Sequence, residues 1–330
     1  MDKNPNIVVL GGGTGSFTVL SSLRDFDVHL TSIVSMADDG SSTGILRDEL
    51  GALPPGDVRQ CLVALSEAPI IRDLFDYRFD QGSLGGHSFG NLFLTALEKT
   101  SGDFATAVER ASEILRIKGR VLPATLDDVR LVMSWPSSRL ELKGERVIDN
   151  EHFRLDPRKA KLELTPEAEV NPQARQAILA ADIVVIAPGD LYTSLGALLA
   201  IEGIDSALCE TSARIIYVCN LVTKHGQTDG FSVEDHLNEI ERFIDGEVVD
   251  VVLYNTGRPD AETTKRYDAE SAFMVQRDLR EPRFGITFVG EDLLGEMAKH
   301  KAADKLIEPR SLIRHDQVKL AAAILTIGGV

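Results

Sequence analysis

Short apolar runs recur along this chain and alternate with segments in which apolar residues lie three and four positions apart. The runs are typical of buried strands, and the spaced segments are typical of amphipathic helices. Strands are predicted to begin at Ile7, Leu30, Ile183, Ile215, Val249 and Ile286. Because strands that alternate with helices form parallel sheets, the pattern predicts an α/β fold with a Rossmann-like, doubly wound, mainly parallel sheet.

The helical segments are placed by their spacing and by residues that favour helix starts. Asp57 follows the turn LPPG and is predicted to cap a helix. Ser232, with Asp235 three residues later, is predicted to open a helix that runs to Ile244. A helix is also predicted directly after the first glycine-rich turn, and others over residues 92–100, 104–115, 172–180 and 316–327.

The apolar period changes to two between residues 121 and 165. Val129, Leu131 and Met133 alternate with polar residues, and a similar alternation follows in LEL and KLELT. This predicts an insertion of antiparallel β structure, as an edge layer or as a cap over the site. No internal repeat and no low-complexity linker divides the chain, so we expect a single domain over residues 1–330 that carries the insertion.

The first predicted strand ends in GGGTGS. Glycines in such a turn let backbone N–H groups approach a phosphate, and the helix that follows adds the positive end of its dipole. We therefore predict that Gly12, Gly13, Thr14 and Gly15 bind a phosphate or a nucleotide. Ser16 stands where a dinucleotide fingerprint has its third glycine, which makes NAD-linked hydride transfer a weaker interpretation. Tight turns without a ligand are the remaining alternative.

Two acids, Asp38 and Asp39, follow the second predicted strand, near the place where a ribose-binding acid belongs. They run directly into GSSTG. A doubled acid before such a segment resembles a second polar loop more than a single ribose clamp, and both acids are candidate site residues.

A second glycine-rich segment, GSLGGHSFGN, lies directly before a predicted apolar helix. Its glycines give the backbone the freedom to form an anion nest. His87 and Asn91 lie four residues apart in it and are candidate site residues. Arg59 is another, because the first turn of a helix is an unusual place for a cation if only the helix dipole matters. The structural alternatives are a hydrogen-bonding histidine and a surface arginine.

Small hydrogen-bonding residues follow nearly every predicted strand. The strand ends read GGGTG, DDGSS, PGDLYTS, NLVT and NTG. Loops at strand carboxyl ends bind ligands in doubly wound sheets, and scaffold turns alone would not need such residues at nearly every end. The candidates from the later strands are Gly189, Asp190, Ser194, Asn220 and Thr223.

The formal charge of −16, from 51 acidic and 35 basic residues, argues against non-specific binding to nucleic acid or to anionic membranes. Cys61, Cys209 and Cys219 are odd in number and lack metal-ligand spacing, so we expect buried, reduced thiols. The first residues lack a signal-peptide pattern, and the apolar C-terminal segment is too short to span a bilayer. We therefore expect a cytoplasmic protein without stable membrane insertion.

Several catalytic chemistries lack their motif in this sequence. It has no GxxxxGK[ST] of a P-loop, no zinc-ligand spacing among its seven histidines and no GxSxG elbow of a serine hydrolase. If the protein is an enzyme, Asp38, Asp39, Asp57 and Asp190 are the residues expected to hold a magnesium ion on a phosphorylated ligand. Binding of the ligand alone is expected to require no cofactor.

Six motifs occur in order from about Asn6 to the C-terminal helix: GGGTGS, MADDGSSTGILRDELGALPPGDVRQCL, GHSFGNLFLTAL, APGDLYTSL, YVCNLVTKHGQTDGF and DHL. In this combination the chain resembles the gluconeogenesis-factor family (YvcK-type proteins), within the superfamily of the 2-phospho-L-lactate transferase CofD. The resemblance implies a Rossmann-like fold that binds a UDP-sugar, notably UDP-N-acetylglucosamine. It also implies a cytoplasmic role in carbon metabolism, cell-wall precursor supply and cell shape during gluconeogenic growth.

The resemblance also implies which residues meet the ligand. A tyrosine can stack on a base, and an arginine can bind a diphosphate through two hydrogen bonds. One departure from the family pattern is Lys224-His225, where methionine-threonine-glutamine is more usual. The residues that the resemblance places at the nucleotide sugar are Gly12 to Gly15, Asp38, Asp39, Asn220, Thr223, Tyr267 and Arg314.

Two functional hypotheses follow from the sequence. The first is a regulator that binds a UDP-sugar without turnover and acts as a homodimer or with protein partners in cell-wall synthesis or its regulation. The second is an enzyme that transfers a phospho-lactyl group to a deazaflavin-type acceptor with magnesium, as the transferase relatives do. We rank the regulator first, because the motifs match that branch over more of the chain and the sequence identifies no catalytic nucleophile.

Overall fold

A computed structural model describes residues 4–269, 271–278, 283–295 and 313–330 of the chain. Seven strands form one sheet, in which every neighbouring pair is parallel. Three more form a small antiparallel sheet. The strands are β1 (Asn6–Gly11), β2 (His29–Val34), β3 (Arg120–Pro123), β4 (Arg130–Trp135), β5 (Leu140–Lys143), β6 (Lys161–Thr165), β7 (Ile183–Ile186), β8 (Arg214–Val218), β9 (Val251–Asn255) and β10 (Thr287–Glu291).

The predicted doubly wound, mainly parallel sheet is confirmed. Its strand order is β10-β9-β8-β7-β1-β2-β3, so the chain extends from β1 to one side and later returns to build the other side. The six predicted strand starts lie within two residues of those observed. The carboxyl ends of β1 and β7 flank the point where the strand order reverses, which is the place where such sheets bind ligands.

The helices in the described ranges match most of the predicted segments, and none of them is long and apolar enough to cross a membrane. A 3-10 turn covers Pro157–Lys159, and a π-helical turn covers Leu191–Gly196. The helices are α1 (Gly13–Leu23), α2 (Ser41–Leu50), α3 (Gly56–Leu65), α4 (Pro69–Asp76), α5 (Phe89–Ser101), α6 (Phe104–Leu115), α7 (Glu145–Asn150), α8 (Pro172–Leu179), α9 (Ala197–Leu199), α10 (Ile204–Glu210), α11 (Val233–Ile244), α12 (Ala261–Ala269) and α13 (Gln317–Gly328).

The large sheet is covered on both faces, which creates two apolar cores. Successive residues of β1 point to opposite faces: Ile7 and Val9 lie in the core beneath α1, α3, α6 and α13, and Val8 and Leu10 lie in the other. The second core is closed by α8 to α11 and by the small sheet. All residues of β7 are buried, as a parallel strand with both faces covered requires.

The antiparallel insertion is confirmed, but its predicted start is wrong. Residues 120–123 form β3, which pairs in parallel with β2 at the edge of the large sheet, so the insertion begins after this strand. Within it, β5, β4 and β6 pair in antiparallel fashion, and the short helix α7 follows β5. At the base of the insertion the Asn171 amide donates to the Ala124 carbonyl at 2.8 Å. The inserted segment therefore leaves and re-enters the main fold at one point.

Two other local predictions are wrong. The segment GSSTG after Asp39 is not a polar loop, because Gly40 is the N-cap of α2 and the other four residues are its first turn. Cys209 is exposed, whereas Cys61 and Cys219 are buried as expected. Burial raises the pKa of each of these two thiols to about 12, which keeps them protonated and unreactive.

Candidate functional site

The glycine loop lies at the point where the strand order reverses. β1 ends at Gly11 and α1 begins at Gly13, so almost no chain separates the strand from the helix. A Cβ built on Gly15 would lie 1.6 Å from the carbonyl oxygen of Pro188, in the loop after β7. Only glycine permits this approach of the two backbones. The approach fixes the first turn of α1, with its backbone N–H groups and the exposed Thr14, at the mouth of the crevice between the carboxyl ends of β1 and β7.

The π-helical turn after β7 places Ser194 beside this loop. Its Oγ lies 3.3 Å from the position that a Cβ on Gly12 would take. Among the residues described, this buried Oγ has no hydrogen-bond partner. A buried hydroxyl without a hydrogen-bond partner costs free energy. Because the Ser194 hydroxyl lies next to an exposed helix N-terminus, it can donate a hydrogen bond to a ligand oxygen there.

Asp57 does not cap α3, so that prediction is wrong. The helix begins one residue earlier, at Gly56, and Asp57 lies in its first turn. The carboxyl group contacts Gly12 and accepts a hydrogen bond from the backbone N–H of Gly13. Burial, followed by the nearby charge of Asp38, raises the pKa of Asp57 to about 8. At pH 7 a largely neutral carboxyl group thus occupies part of the glycine loop.

Three more carboxyl groups share the crevice with Asp57. Asp38 accepts hydrogen bonds from the Gly40 amide at 2.8 Å and from the hydroxyl of Thr43, and burial raises its pKa. Glu145 and Asp149 lie four residues apart on α7, which places them on one face of this helix. Burial and the nearby Asp38 raise the pKa of Glu145 to about 9, and burial also raises the pKa of Asp149.

Lys224, in the loop after β8, is a cation beside these carboxyl groups. Its side chain is 8% exposed, and its Nζ donates to Asp190 at 3.0 Å and to Asp149. Burial lowers the pKa of Lys224, but Asp190 and Asp149 outweigh burial and raise it above the usual value. The ammonium therefore stays charged and joins the β7 loop, the β8 loop and the insertion.

Three predicted candidates from two separate motifs, Arg59, His87 and Asn91, come together in one hydrogen-bond network. Nε of Arg59 donates to Oδ1 of Asn91 at 3.1 Å, and Nδ2 of Asn91 donates to Oγ of Ser42 at 3.2 Å. The Ser42 hydroxyl lies 3.0 Å from Nδ1 of His87. Arg59 also forms an ion pair with Asp76 at 2.5 Å. The network fixes the first turns of α2, α3 and α5 beside the acidic loop, the segment after β2 that carries Asp38 and Asp39.

Asp39 turns away from Asp38, towards the insertion. Its Oδ1 accepts a hydrogen bond from the Arg146 amide at 2.6 Å, and its Oδ2 lies 3.8 Å from the guanidinium group of Arg130. The N–H groups of a helix start lack partners within the helix, and Asp39 satisfies one of them in α7. Asp39 thus positions the helix that carries Glu145.

Arg47 is buried where the acidic loop meets the insertion. Its side chain is 1% exposed, and it donates to the carbonyl oxygens of Asp38 at 3.0 Å and of Val129 at 2.6 Å. It also forms an ion pair with Asp128, whose side chain is 65% exposed. Arg47 therefore fixes the acidic loop to the start of the insertion.

Asn220 and Thr223 lie at the mouth formed by the β7 and β8 loops. The side-chain amide of Asn220 exchanges two hydrogen bonds with the backbone of Gly189, at 3.2 and 2.7 Å. The Thr223 hydroxyl accepts from the Phe273 amide at 3.0 Å. Both side chains brace the loops of the predicted site, and their contact with a ligand stays a prediction.

Tyr267 and Arg314 lie close together beside the end of β8. Tyr267 is buried against Leu221, and its hydroxyl accepts from the amide of Ile313 at 2.8 Å, directly before Arg314. The next residue, His315, is buried as well, and burial lowers its pKa to about 4. The pairing of these two segments agrees with a shared role, but their contact with the nucleotide stays a prediction.

Sequence reasoning missed Glu145, Asp149 and Lys224. The sequence contains only a weak indication of the two acids: they lie four residues apart in ERVID, which would place them on one face of a helix. Lys224 had the signal that it departs from the family pattern. The missing information was that α7 of the insertion packs against Asp39 and the loop after β8.

The four acids predicted for magnesium do not share one set of open oxygens. Asp39 binds the start of α7, Asp57 binds the Gly13 amide, and Asp190 is paired with Lys224. In the part of the chain that the structure describes, no group of three or more His, Cys, Asp or Glu side chains is arranged to hold a metal ion. A magnesium ion held by these four acids therefore does not fit this arrangement.

The raised pKa values of Asp57 and Glu145 predict an unusual dependence of stability on pH. Between about pH 5 and 8 the native state retains protons that the unfolded chain has lost, since the ordinary pKa values of these two groups are 3.8 and 4.5. The free energy of unfolding is therefore expected to fall as pH rises, by up to about 1.4 kcal/mol per pH unit for each retained proton. Urea denaturation at pH 5, 7 and 9 measures this slope.

The variant Asp57→Asn tests the assignment of that slope. It removes one of the titrating groups while the amide side chain still accepts from Gly13, so the fall in stability with pH is expected to become shallower. An unchanged slope in this variant, or a wild-type protein that becomes more stable towards pH 9, would contradict the assignment.

Three comparisons with known proteins agree. Residues 7–294 match the family model described as 2-phospho-L-lactate transferase CofD. Two proteins named gluconeogenesis factor are similar over nearly their whole length. That of Halalkalibacterium halodurans is 38% identical over 98% of this chain and 96% of its own, and that of Bacillus subtilis is 34% identical over 99% of both. The crystal structure of protein BH3568 from Bacillus halodurans superposes with a TM-score of 0.89, at 35% identity, over 98% of this chain and 100% of that one.

Proposed function

This chain belongs to the 2-phospho-L-lactate transferase CofD family, among relatives named gluconeogenesis factors, and on that premise we propose that it binds a nucleotide sugar at the glycine loop. The ligand that we propose is UDP-N-acetylglucosamine, bound without turnover as a regulatory signal. In this proposal the protein acts in gluconeogenic growth, cell shape and cell-wall precursor balance, through homodimers or protein partners.

The buried hydroxyl of Ser194 carries this proposal. It lies beside Gly12 and finds no partner among the described residues, while the first turn of α1 points its N–H groups at the same place. A phosphate oxygen at this position would accept from the backbone and from the serine together. Helix N-termini and glycine-rich turns favour anions for this reason.

Titration with UDP-N-acetylglucosamine, followed by calorimetry and thermal denaturation, tests the proposal. Saturable binding is expected, and at 100 times the dissociation constant the ligand should add about 2.7 kcal/mol to the free energy of unfolding. A lack of saturable stabilisation by UDP-N-acetylglucosamine, UDP-glucose and UDP at millimolar concentration would overturn it.

A pair of variants assigns the binding to this site. Ser194→Ala should lower the affinity for the ligand about ten-fold, because a hydrogen bond to a charged group is lost. The stability of the protein without ligand should stay the same. Thr193→Val is the matched control, since Thr193 also has a buried hydroxyl without a partner in the described chain but does not lie against Gly12. Equal ligand affinity in the two variants would place the nucleotide elsewhere.

A second candidate function is transfer of a phosphorus-containing group to a deazaflavin-type acceptor. The family match supports it, and so does the pKa of Asp57, because a carboxyl group that titrates near neutral pH is suited to general acid–base catalysis. Product formation from a nucleotide-activated phospho-lactyl donor and a deazaflavin acceptor with magnesium, with release of the nucleotide as leaving group, separates the two functions. Tight nucleotide-sugar binding without any product would favour the regulator.

A further inference from the structure

The crevice around the glycine loop contains an excess of carboxyl groups. Asp38, Asp57, Asp149 and Asp190 each influence the pKa of at least one other carboxyl group of the crevice, and Glu145 is influenced by three of them. A diphosphate brings further negative charge into the same space. Those of the carboxyl groups that are ionised oppose this charge strongly in a partly buried site, so an anionic ligand needs a cation beside it.

Lys224 supplies a positive charge at the required place. Its ammonium lies between Asp149 of the insertion and Asp190 of the β7 loop, and Asp190 in turn acts on Asp57 at the glycine loop. Coordination by two or more carboxylate oxygens is also what a hard divalent cation prefers. The ammonium and such a cation would compete for the same oxygens.

The backbone around Lys224 holds it in this position. The Lys224 amide donates to the hydroxyl of Thr228 at 2.8 Å. Nε2 of Gln227 donates to the carbonyl oxygens of Ile148 at 2.8 Å and Asp149 at 3.0 Å, at the end of α7. The lysine is therefore aimed at the carboxyl groups by its own loop, which costs little further ordering when a ligand arrives.

We infer that the Lys224 ammonium is the built-in counter-ion of the phosphate site: it takes the place of a divalent cation, so that a nucleoside diphosphate binds without added metal. The inference rests on the proposed function for its ligand. It also explains why the four acids predicted to hold magnesium do not converge, since one of them already holds the ammonium. On this view, removal of the ammonium turns a metal-independent site into a metal-dependent one.

The first experiment needs no nucleotide. Binding of Mn²⁺ is measured by electron paramagnetic resonance for the wild-type protein, for Lys224→Met and for Lys224→Arg, which keeps the charge. Lys224→Met should bind Mn²⁺ at least about ten-fold more tightly than the other two, because two carboxylates lose their cation. Equal Mn²⁺ affinity in all three proteins would overturn the inference.

The second experiment measures the affinity for UDP-N-acetylglucosamine in EDTA and in millimolar magnesium. The wild-type protein should bind the nucleotide sugar with the same affinity in EDTA and in magnesium, and this expectation can be tested without any variant. Lys224→Met should bind the nucleotide sugar at least about ten-fold more weakly than the wild type in EDTA and should regain the wild-type affinity with magnesium. Lys224→Arg should resemble the wild type in both conditions. A loss that magnesium does not restore would reduce Lys224 to a structural link and overturn the inference.

The two experiments separate this inference from the proposed function. If the wild-type protein binds the nucleotide sugar only with magnesium, the function stands and the role of Lys224 fails. If no nucleotide sugar binds under any condition while Lys224→Met still gains a Mn²⁺ site, the function fails and the counter-ion role of Lys224 towards the carboxyl groups stands.

Discussion

Replacement of Gly15 by alanine is expected to lower the free energy of unfolding by about 3 kcal/mol or more, at the upper end of what one methyl group causes. The added Cβ would lie 1.6 Å from the Pro188 carbonyl oxygen, whereas real contacts of this kind stay beyond 3.0 Å. The atom in the way belongs to the backbone, so no side-chain rotation relieves the clash. Either α1 or the loop after β7 must move, and both are anchored to buried central strands.

Urea denaturation and nucleotide binding measure the effect. The matched control is Gly246→Ala, because a Cβ there meets its neighbours at 3.5 Å or more, which is ordinary contact, and no left-handed backbone is required. The control is expected to be as stable as the wild type. A Gly15→Ala variant with wild-type stability would show that the close approach of the two loops is not a constraint on the fold.

Replacement of Arg47 by methionine is expected to lower the free energy of unfolding by about 3 kcal/mol. The ion pair with Asp128 is a small part of this, since that carboxylate is largely in water. The larger part comes from the carbonyl oxygens of Asp38 and Val129, which lose their donor in a buried place, at about 1–3 kcal/mol each. The loss also frees the acidic loop from the insertion, so ligand affinity should fall with stability.

Arg130→Met provides the comparison for this variant. Arg130 joins the same two parts of the molecule, but its side chain is 37% exposed and pairs with Asp48, which is 69% exposed. An exposed pair of this kind contributes at most about 1 kcal/mol. Equal destabilisation of the two variants in urea would mean that burial of Arg47 does not decide the effect.

The large sheet could be predicted from the sequence because burial on both faces forces apolar runs. β7 has four consecutive apolar residues and was placed at its true start. Helix α6 was predicted with its observed ends, from an apolar face that repeats at helical spacing. Local pattern decides such elements, since their neighbours only need to present a matching apolar surface.

The candidate site was predicted only in part, because its geometry depends on contacts between distant segments. Asp38 and Asp39 are adjacent in the sequence, yet one faces the crevice and the other binds the start of α7. Asp57 resembled a helix cap, but α3 starts one residue earlier and leaves its carboxyl group to reach Gly13. Helix α7 is too short to show a helical period, so its two acids gave almost no signal.

The hydrogen bond that joins Asn171 to Ala124 has a consequence for how the family can diversify. The two ends of the inserted segment meet, so a segment of different length or sequence can replace it without moving the strands on either side. Such an exchange must keep the inward side chains of β4, among them Leu131 and Trp135, which complete a core shared with the large sheet. On α7, Ile148 shares this restriction because it is buried in the same core, whereas Glu145 and Asp149 face the crevice. New ligand preferences can therefore arise there while the glycine loop stays as it is.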